Sequence, residues 1–155
     1  MSGGAAAATA AARSFLAFDY GEKRVGAAYA TTLSAQARPL KTLAAQGDAR
    51  FAAVAALIAE WQPEALVVGV PFHPDGAPHQ NTERARRFAR RLQGRFGLPV
   101  AEEDERWTTT EALASGARDA DAAAACLILE QHLRRLADIA AAASNTDPDP
   151  ASTPE

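Results

Sequence analysis

A chain of 155 residues, 48% of them hydrophobic, can build one full core and not a second. Its formal net charge of −3 gives no global signal for nucleic-acid binding, so such a role must rest on local charge. The single cysteine, Cys126, excludes an intramolecular disulfide and a multi-thiolate metal site, which suits a reducing cytoplasm, and no apolar run approaches the about 20 residues of a membrane span.

The N-terminal "MSGGAAAATAAA" lacks the basic start and the Leu/Val-rich middle of a signal peptide, and is expected to be a disordered tail over residues 1–12. Ser14–Tyr20 predicts a buried strand that breaks at Gly21, and Arg24–Ala30 a second strand joined to it as a hairpin. Residues 37–43, "ARPLKTL", suggest a third strand, with Pro39 favouring an edge position. Residues 48–61 carry Phe51, Val54, Ala55, Ile58 and Trp61 at helical spacing, with Asp48 as the expected N-cap and Pro63 as the stop.

"EALVVGV", residues 64–70, is a continuous apolar run of the kind buried on both faces of a sheet. "PFHPDGAPHQ" is a loop, with His73 and His79 expected in solvent. Residues 82–96 form a second amphipathic helix with Ala85, Phe88, Ala89, Leu92 and Phe96 inside. A strand at Leu98–Glu103, a helical "TTEALAS" and a final helix from Asp121 to Ile139 follow, the last with Ala125, Leu129, Leu133 and Leu136 as its stripe. Cys126 and His132 on that helix are expected to pack rather than to react. The acidic, Pro/Ser/Thr-rich end, 143–155, is expected to be disordered, which leaves one domain over 13–142. The order β-β-β-α-β-α-β-α-α predicts an α/β fold, a mixed sheet covered by helices, with any active site outside the carboxyl ends of its parallel strands.

Two acids stand at strand ends and a third at a helix start, all expected on that one edge. Asp19 closes an apolar strand where an ionised carboxylate loses hydration and needs a partner. Asp104 lies in "EEDERWTTTEA", where four consecutive carboxylates repel unless solvated or shared with a cation, and where Thr108 and Glu111 form a capping box. Asp121 opens an apolar helix, a position that also suits a favourable helix-dipole interaction. Carboxylates without cysteine or a helical histidine pair suit a hard, oxygen-liganded cation, Mg²⁺ or Mn²⁺.

"FDYGEKRVGAA", "VVGVPFHPDG", "VAEEDERWTTTEA" and "DAAAACLILEQHL" occur in the order and with the character of the YqgF/RuvX family, which the chain resembles from Phe15 to Leu133. The resemblance implies a ribonuclease H-like fold with a five-stranded mixed sheet. It also implies a metal-dependent nuclease in which Asp19, Asp104 and Asp121 are catalytic and hold Mg²⁺ or Mn²⁺. Family members are implicated in trimming the 5′ end of precursor 16S rRNA, and resolution of branched DNA was proposed for them by analogy with RuvC. The fourth strand here ends "VGVPF", without the acid that many nucleases of this fold place there; a second metal is then loosely held or shared with Glu105 or Asp119.

The implied partner is nucleic acid, structured RNA or branched DNA. Lys23, Arg24 and Arg106 flank the acidic edge, and Arg84, Arg87 and Arg91, with Arg86, Arg90 and Arg95, load the exposed side of the second helix as a phosphate-tracking stripe. A non-catalytic nucleic-acid or transcription-factor-binding module with the same fold would tolerate Asn at Asp19, Asp104 and Asp121. An actin-like phosphotransferase needs two such domains, and this chain has room for one.

Overall fold

The apolar run Phe15–Phe18 has no polar face to turn to water, and it becomes the middle of a sheet. In the structure, a computed structural model describing residues 12–34, 36–73, 75–105 and 120–145, five strands pair: β1 (Ser14–Asp19), β2 (Gly26–Thr31), β3 (Arg38–Pro39), β4 (Ala65–Val70) and β5 (Val100–Asp104). Their spatial order is β3-β2-β1-β4-β5. β2 runs antiparallel to both β1 and β3, and β1, β4 and β5 run parallel. The parallel crossovers carry helices α1 (Asp48–Trp61) and α2 (Thr82–Phe96), and α3 (Ala120–Asn145) follows β5.

The strand period of two assigns each side of the sheet to different helices. Leu16, Phe18, Leu66 and Val68 pack with Phe51, Val54 and Leu57 of α1 and with Phe88 and Leu92 of α2. Phe15, Ala17, Ala65 and Val67 face the other way, onto Ala125, Ile128 and Leu129 of α3. β4 is buried at all six residues, which is why its sequence shows no alternation. The mixed five-stranded sheet flanked by helices is thus the one expected from the element order.

Several boundaries differ from the sequence reading. The third strand shrinks to Arg38–Pro39; beyond the proline, Leu40 and Leu43 keep backbone bonds to the hairpin, to Ala27 and Val25. It does lie at the sheet edge, where a residue without an N–H is tolerated. The N-cap of α1 is Gly47 at φ 62°, and Asp48 lies inside the first turn. Gln62 ends that helix in the left-handed region, its N–H bonded to Ile58 O at 2.8 Å, immediately before Pro63. The fifth strand begins two residues later than expected and takes in Asp104. α3 starts one residue before Asp121 and continues to Asn145, past the expected domain end, while Ala12, assigned to the tail, is buried against the α3 side of the sheet. The helix expected at "TTEALAS" lies outside the described residues.

β2 can approach α3 only because Gly26 has no side chain: a Cβ there would overlap the backbone carbonyl of Asp121. Gly94, on α2, faces open space. Gly26→Ala is therefore expected to lower stability by about 2 kcal/mol or more through backbone overpacking, and Gly94→Ala to raise it by about 0.5–1 kcal/mol through helix propensity. Denaturant melts of the two variants beside the native chain check both signs.

Candidate active site

Asp19 ends β1 between two glycines: Gly26 is its partner on β2 and Gly69 its partner on β4. Directly opposed residues present to the same face, so both missing side chains leave room beside the carboxylate. On the β2 side the space admits the first turn of α3, which carries Asp121. On the β4 side a Cβ at Gly69 would stand 2.7 Å from Glu105 Oε1 and overlap Ile128. Two glycines of the sequence thus let a helix and a second carboxyl group converge on Asp19.

The outcome is a carboxyl–carboxyl pair. Asp19 and Glu105 share a side-chain hydrogen bond in a largely buried setting. Burial raises the pKa of Asp19 and the nearby charge of Asp121 adds to it, against the lowering effect of the bond from Glu105. Glu105 is pushed up to about 10 by burial, by the bond to Asp19 and by the charges of Asp19 and Asp104. At neutral pH the pair therefore holds one proton between its two carboxyl groups, in the hydrogen bond that joins them.

Pleating also explains how four consecutive acids coexist. Glu102 faces α2 and pairs with Arg86 at 3.4 Å. Glu103 turns to α3 and is 1% exposed, held by Gln131 Nε2 at 3.0 Å, by His132 Nδ1 at 2.8 Å and by Arg135 at 3.1 Å. A carboxylate cannot donate, so His132 donates from Nδ1; its ring also meets Phe15 edge-on at 5.5 Å, the packing role expected of it. Asp104 ends the strand with its carbonyl oxygen accepting from Gln131 Nε2 at 3.1 Å. Glu105 then returns to the face of Asp19.

Of the three acids chosen from sequence, Asp19 and Asp121 come into electrostatic reach of each other, and Asp104 reaches the pair through its charge on Glu105. The acid bonded to Asp19 is Glu105, which sequence reasoning named only as a sharer of a second metal. Counting by two along β5 from Glu103 would have placed it on that face. An all-oxygen donor set suits a hard cation. Among the described residues no three acidic, histidine or cysteine side chains yet stand close enough to hold one; the proton shared by Asp19 and Glu105 relieves the repulsion that a cation would otherwise neutralise.

Arg24 pairs with Asp121 at 3.1 Å and Lys23 beside it is exposed. Arg106, Trp107, Thr108, Glu111 and Asp119 lie outside the described residues. The α2 arginines are less uniform than a bare stripe. Arg84 pairs with Glu22, Arg86 with Glu102, Arg90 with Glu83 and Arg95 with Asp48, whereas Arg87 and Arg91 form no ion pair among the described residues. The loop after β4 folds on itself through the Phe72–Pro78 bridge and is tied to α2 by Thr82, whose hydroxyl donates to Pro71 O and accepts from His79 N at 2.7 Å. His73 is exposed, as expected, while His79 is half-buried, its Nδ1 accepting from Asn81 N at 3.1 Å. The Cys126 thiol is pushed up to about 11 by burial and by Glu130, and is no nucleophile at neutral pH.

A folded-state pKa raised above the ordinary value of 4.5 means that the native state holds a proton the unfolded chain has released. The pair's stabilising contribution is then full below that value and is lost as pH rises toward about 10. In the metal-free protein, Glu105→Gln is expected to remove this loss, so that the variant's advantage over the native chain widens between pH 5.5 and pH 8.5. Thermal melts in chelator at both pH values check this; an advantage that narrows with rising pH contradicts the protonated pair.

The model of the RuvX family, described as Holliday junction resolvase, matches residues 13–135. The chain is 66% identical over 124 residues, 80% of either chain, to a protein of Albidiferax ferrireducens named as a candidate pre-16S rRNA nuclease. It is 61% identical over 128 residues, 83% of this chain and 93% of the relative, to a protein of Polaromonas sp. with the same name. Among solved structures it is similar to Thermus thermophilus RuvC in complex with a Holliday junction substrate, with a TM-score of 0.57 at 16% identity, covering 81% of this chain and 96% of that one. That likeness concerns the fold, which is ribonuclease H-like as expected from the motifs. The match over nearly all of the described residues and the high identity lead to one conclusion: the chain belongs to the RuvX family.

Proposed function

We propose that this protein is a metal-dependent nuclease that hydrolyses phosphodiester bonds in the 5′-end maturation of precursor 16S rRNA, in the cytoplasm. The observation that carries the chemistry is the Asp19–Glu105 carboxyl pair at the carboxyl edge of the parallel strands, within reach of the charges of Asp121 and Asp104. The choice of RNA rests on the names of relatives at 66% and 61% identity. No helix among the described residues is long and apolar enough to cross a membrane.

Asp19, Glu105 and Asp121 would hold Mg²⁺ or Mn²⁺, with Asp104 beside them; the chemistry supplied there would be activation of water and stabilisation of the leaving oxygen. The remaining work belongs to the chain. Gly26 and Gly69 keep the carboxylates close, and Gln131 fixes the backbone of Asp104 from α3. Arg24, more than half exposed while it pairs with Asp121, and Lys23 present positive charge to a phosphate arriving at the edge. Arg84, Arg87 and Arg91 extend that charge along α2, and Arg106 remains a candidate contact.

The test is purified protein with Mg²⁺ or Mn²⁺ on precursor-rRNA fragments and, in parallel, on four-way DNA junctions. Cleavage of the RNA is expected. Asp19→Asn should reduce single-turnover cleavage by about a hundredfold or more while its metal-free melting temperature stays level or rises, because a like charge has been removed. Junction cleavage without RNA cleavage would move the activity to branched DNA. Normal cleavage by Asp19→Asn at saturating metal would overturn the assigned site.

A further inference from the structure

On the opposite face of the sheet from Asp19, one buried charge has no counter-charge. Arg50 is 6% exposed. Its Nε donates to Ala45 O at 3.0 Å, its second amino group donates to Glu22 O at 2.8 Å, and its guanidinium lies over the Tyr20 ring at 5.6 Å. Among the described residues no carboxylate pairs with it. A guanidinium cannot shed its proton to relieve burial. The site therefore carries a standing demand for an anion.

Arg50 lines a cleft of about 300 Å³, and the opposite wall is the face of α2 that bears Arg84, Arg87 and Arg91. Their spacing of three and four residues stacks them on one helix face. Arg87 and Arg91 are the two α2 arginines without an ion pair among the described residues, whereas Arg86, Arg90 and Arg95, which do not line the cleft, all have acidic partners. Glu22 is the one acid of the lining, and it pairs with Arg84. The first turn of α1, whose N-cap Gly47 supplies no side-chain cap, opens onto the same space and adds its partial positive charge.

We propose that this cleft is a phosphate-group site that grips the substrate strand away from the point of cleavage. Arg50, Arg87 and Arg91 hold the phosphate oxygens, and Glu22 is an internal competitor that releases Arg84 when the phosphate enters. Planar guanidinium forks match phosphate oxygens in pairs, a geometry that an ammonium does not offer. Tyr20 follows Asp19 directly, yet strand alternation puts it on the α1 and α2 side. The phosphate held there is thus separated from the one attacked by the thickness of the sheet. That the phosphate belongs to nucleic acid rests on the nuclease reading; a backbone phosphodiester and a terminal 5′-phosphate share the chemistry.

The experiment uses the full chain in chelator, where nothing is cleaved, and measures fluorescence-anisotropy binding of one single-stranded RNA oligonucleotide carrying either a 5′-hydroxyl or a 5′-phosphate. Two double variants remove the same charge: Arg87→Ala with Arg91→Ala, and Arg86→Ala with Arg90→Ala. The first pair is expected to weaken binding about tenfold or more and the second less than about threefold, while Glu22→Gln tightens it. A 5′-phosphate advantage that disappears in the first pair assigns the site to the strand end; equal binding of both oligonucleotides, with the first pair still selectively weak, assigns it to the backbone. Equal losses in the two pairs, or no binding by the native chain, overturn the proposal. Cleavage assays on the same proteins keep the two readings apart. Selective binding in a chain that cleaves nothing removes the nuclease and leaves the cleft, and cleavage with equal losses does the reverse.

Discussion

Everything at the acidic edge follows from placing a carboxylate at the end of a strand with no polar face. β1 is central, so Asp19 is flanked by β2 and β4 and covered by α3, and hydration is largely denied to it. The flanking residues are both glycine, and that choice decides what can stand next to it. Gly26 admits the backbone of Asp121; Gly69 admits the carboxyl group of Glu105. Larger residues at either position would still allow a sheet, but they would keep the acids apart. Proximity of like charges is destabilising in itself, and the protein meets it by holding a proton between Asp19 and Glu105.

The second constraint is the attachment of β5 to α3. Glu103 is buried, and both its oxygens are used by three side chains from one stretch of that helix, Gln131, His132 and Arg135. Satisfied in this way, a buried carboxylate fixes the register of strand and helix, whereas removing one partner of such a set costs about 3–5 kcal/mol. Gln131 bridges from Glu103 to the carbonyl of Asp104, so the same cluster that secures the helix also fixes the backbone just before Glu105. The site is thus assembled from three strand ends and one helix start, each held by the packed layers behind it.

Much of this was legible in the sequence, for reasons that can be named. The helices over 48–61 and 82–96 match their expected spans because apolar spacing, and Pro63 after the first, act locally. β4 was legible as a doubly buried strand from its unbroken apolar run. Asp19 stood out because it violates its surroundings. What escaped depends on relations between distant segments. Period two favours Glu105 over Asp104 on the face of Asp19, but only once the strand is known to include Asp104. The stripe on α2 suggested uniform positive charge, whereas its partners Glu22, Glu102 and Asp48 come from three other parts of the chain. Arg50 gave no signal at all: one arginine in an alanine-rich helix becomes a buried charge only through the fold.

The proton held between Asp19 and Glu105 stands where the proposed divalent ion would bind. Calorimetric titration of Mn²⁺ into the metal-free protein at pH 7.5, in buffers of differing ionisation enthalpy, counts the protons expelled on binding. Release of about one proton per ion bound is the predicted result, since Glu105 must ionise to become a ligand. Binding without proton release would contradict a protonated pair at the ion site, because the carboxyl groups would then be ionised already or would take no part in holding the ion.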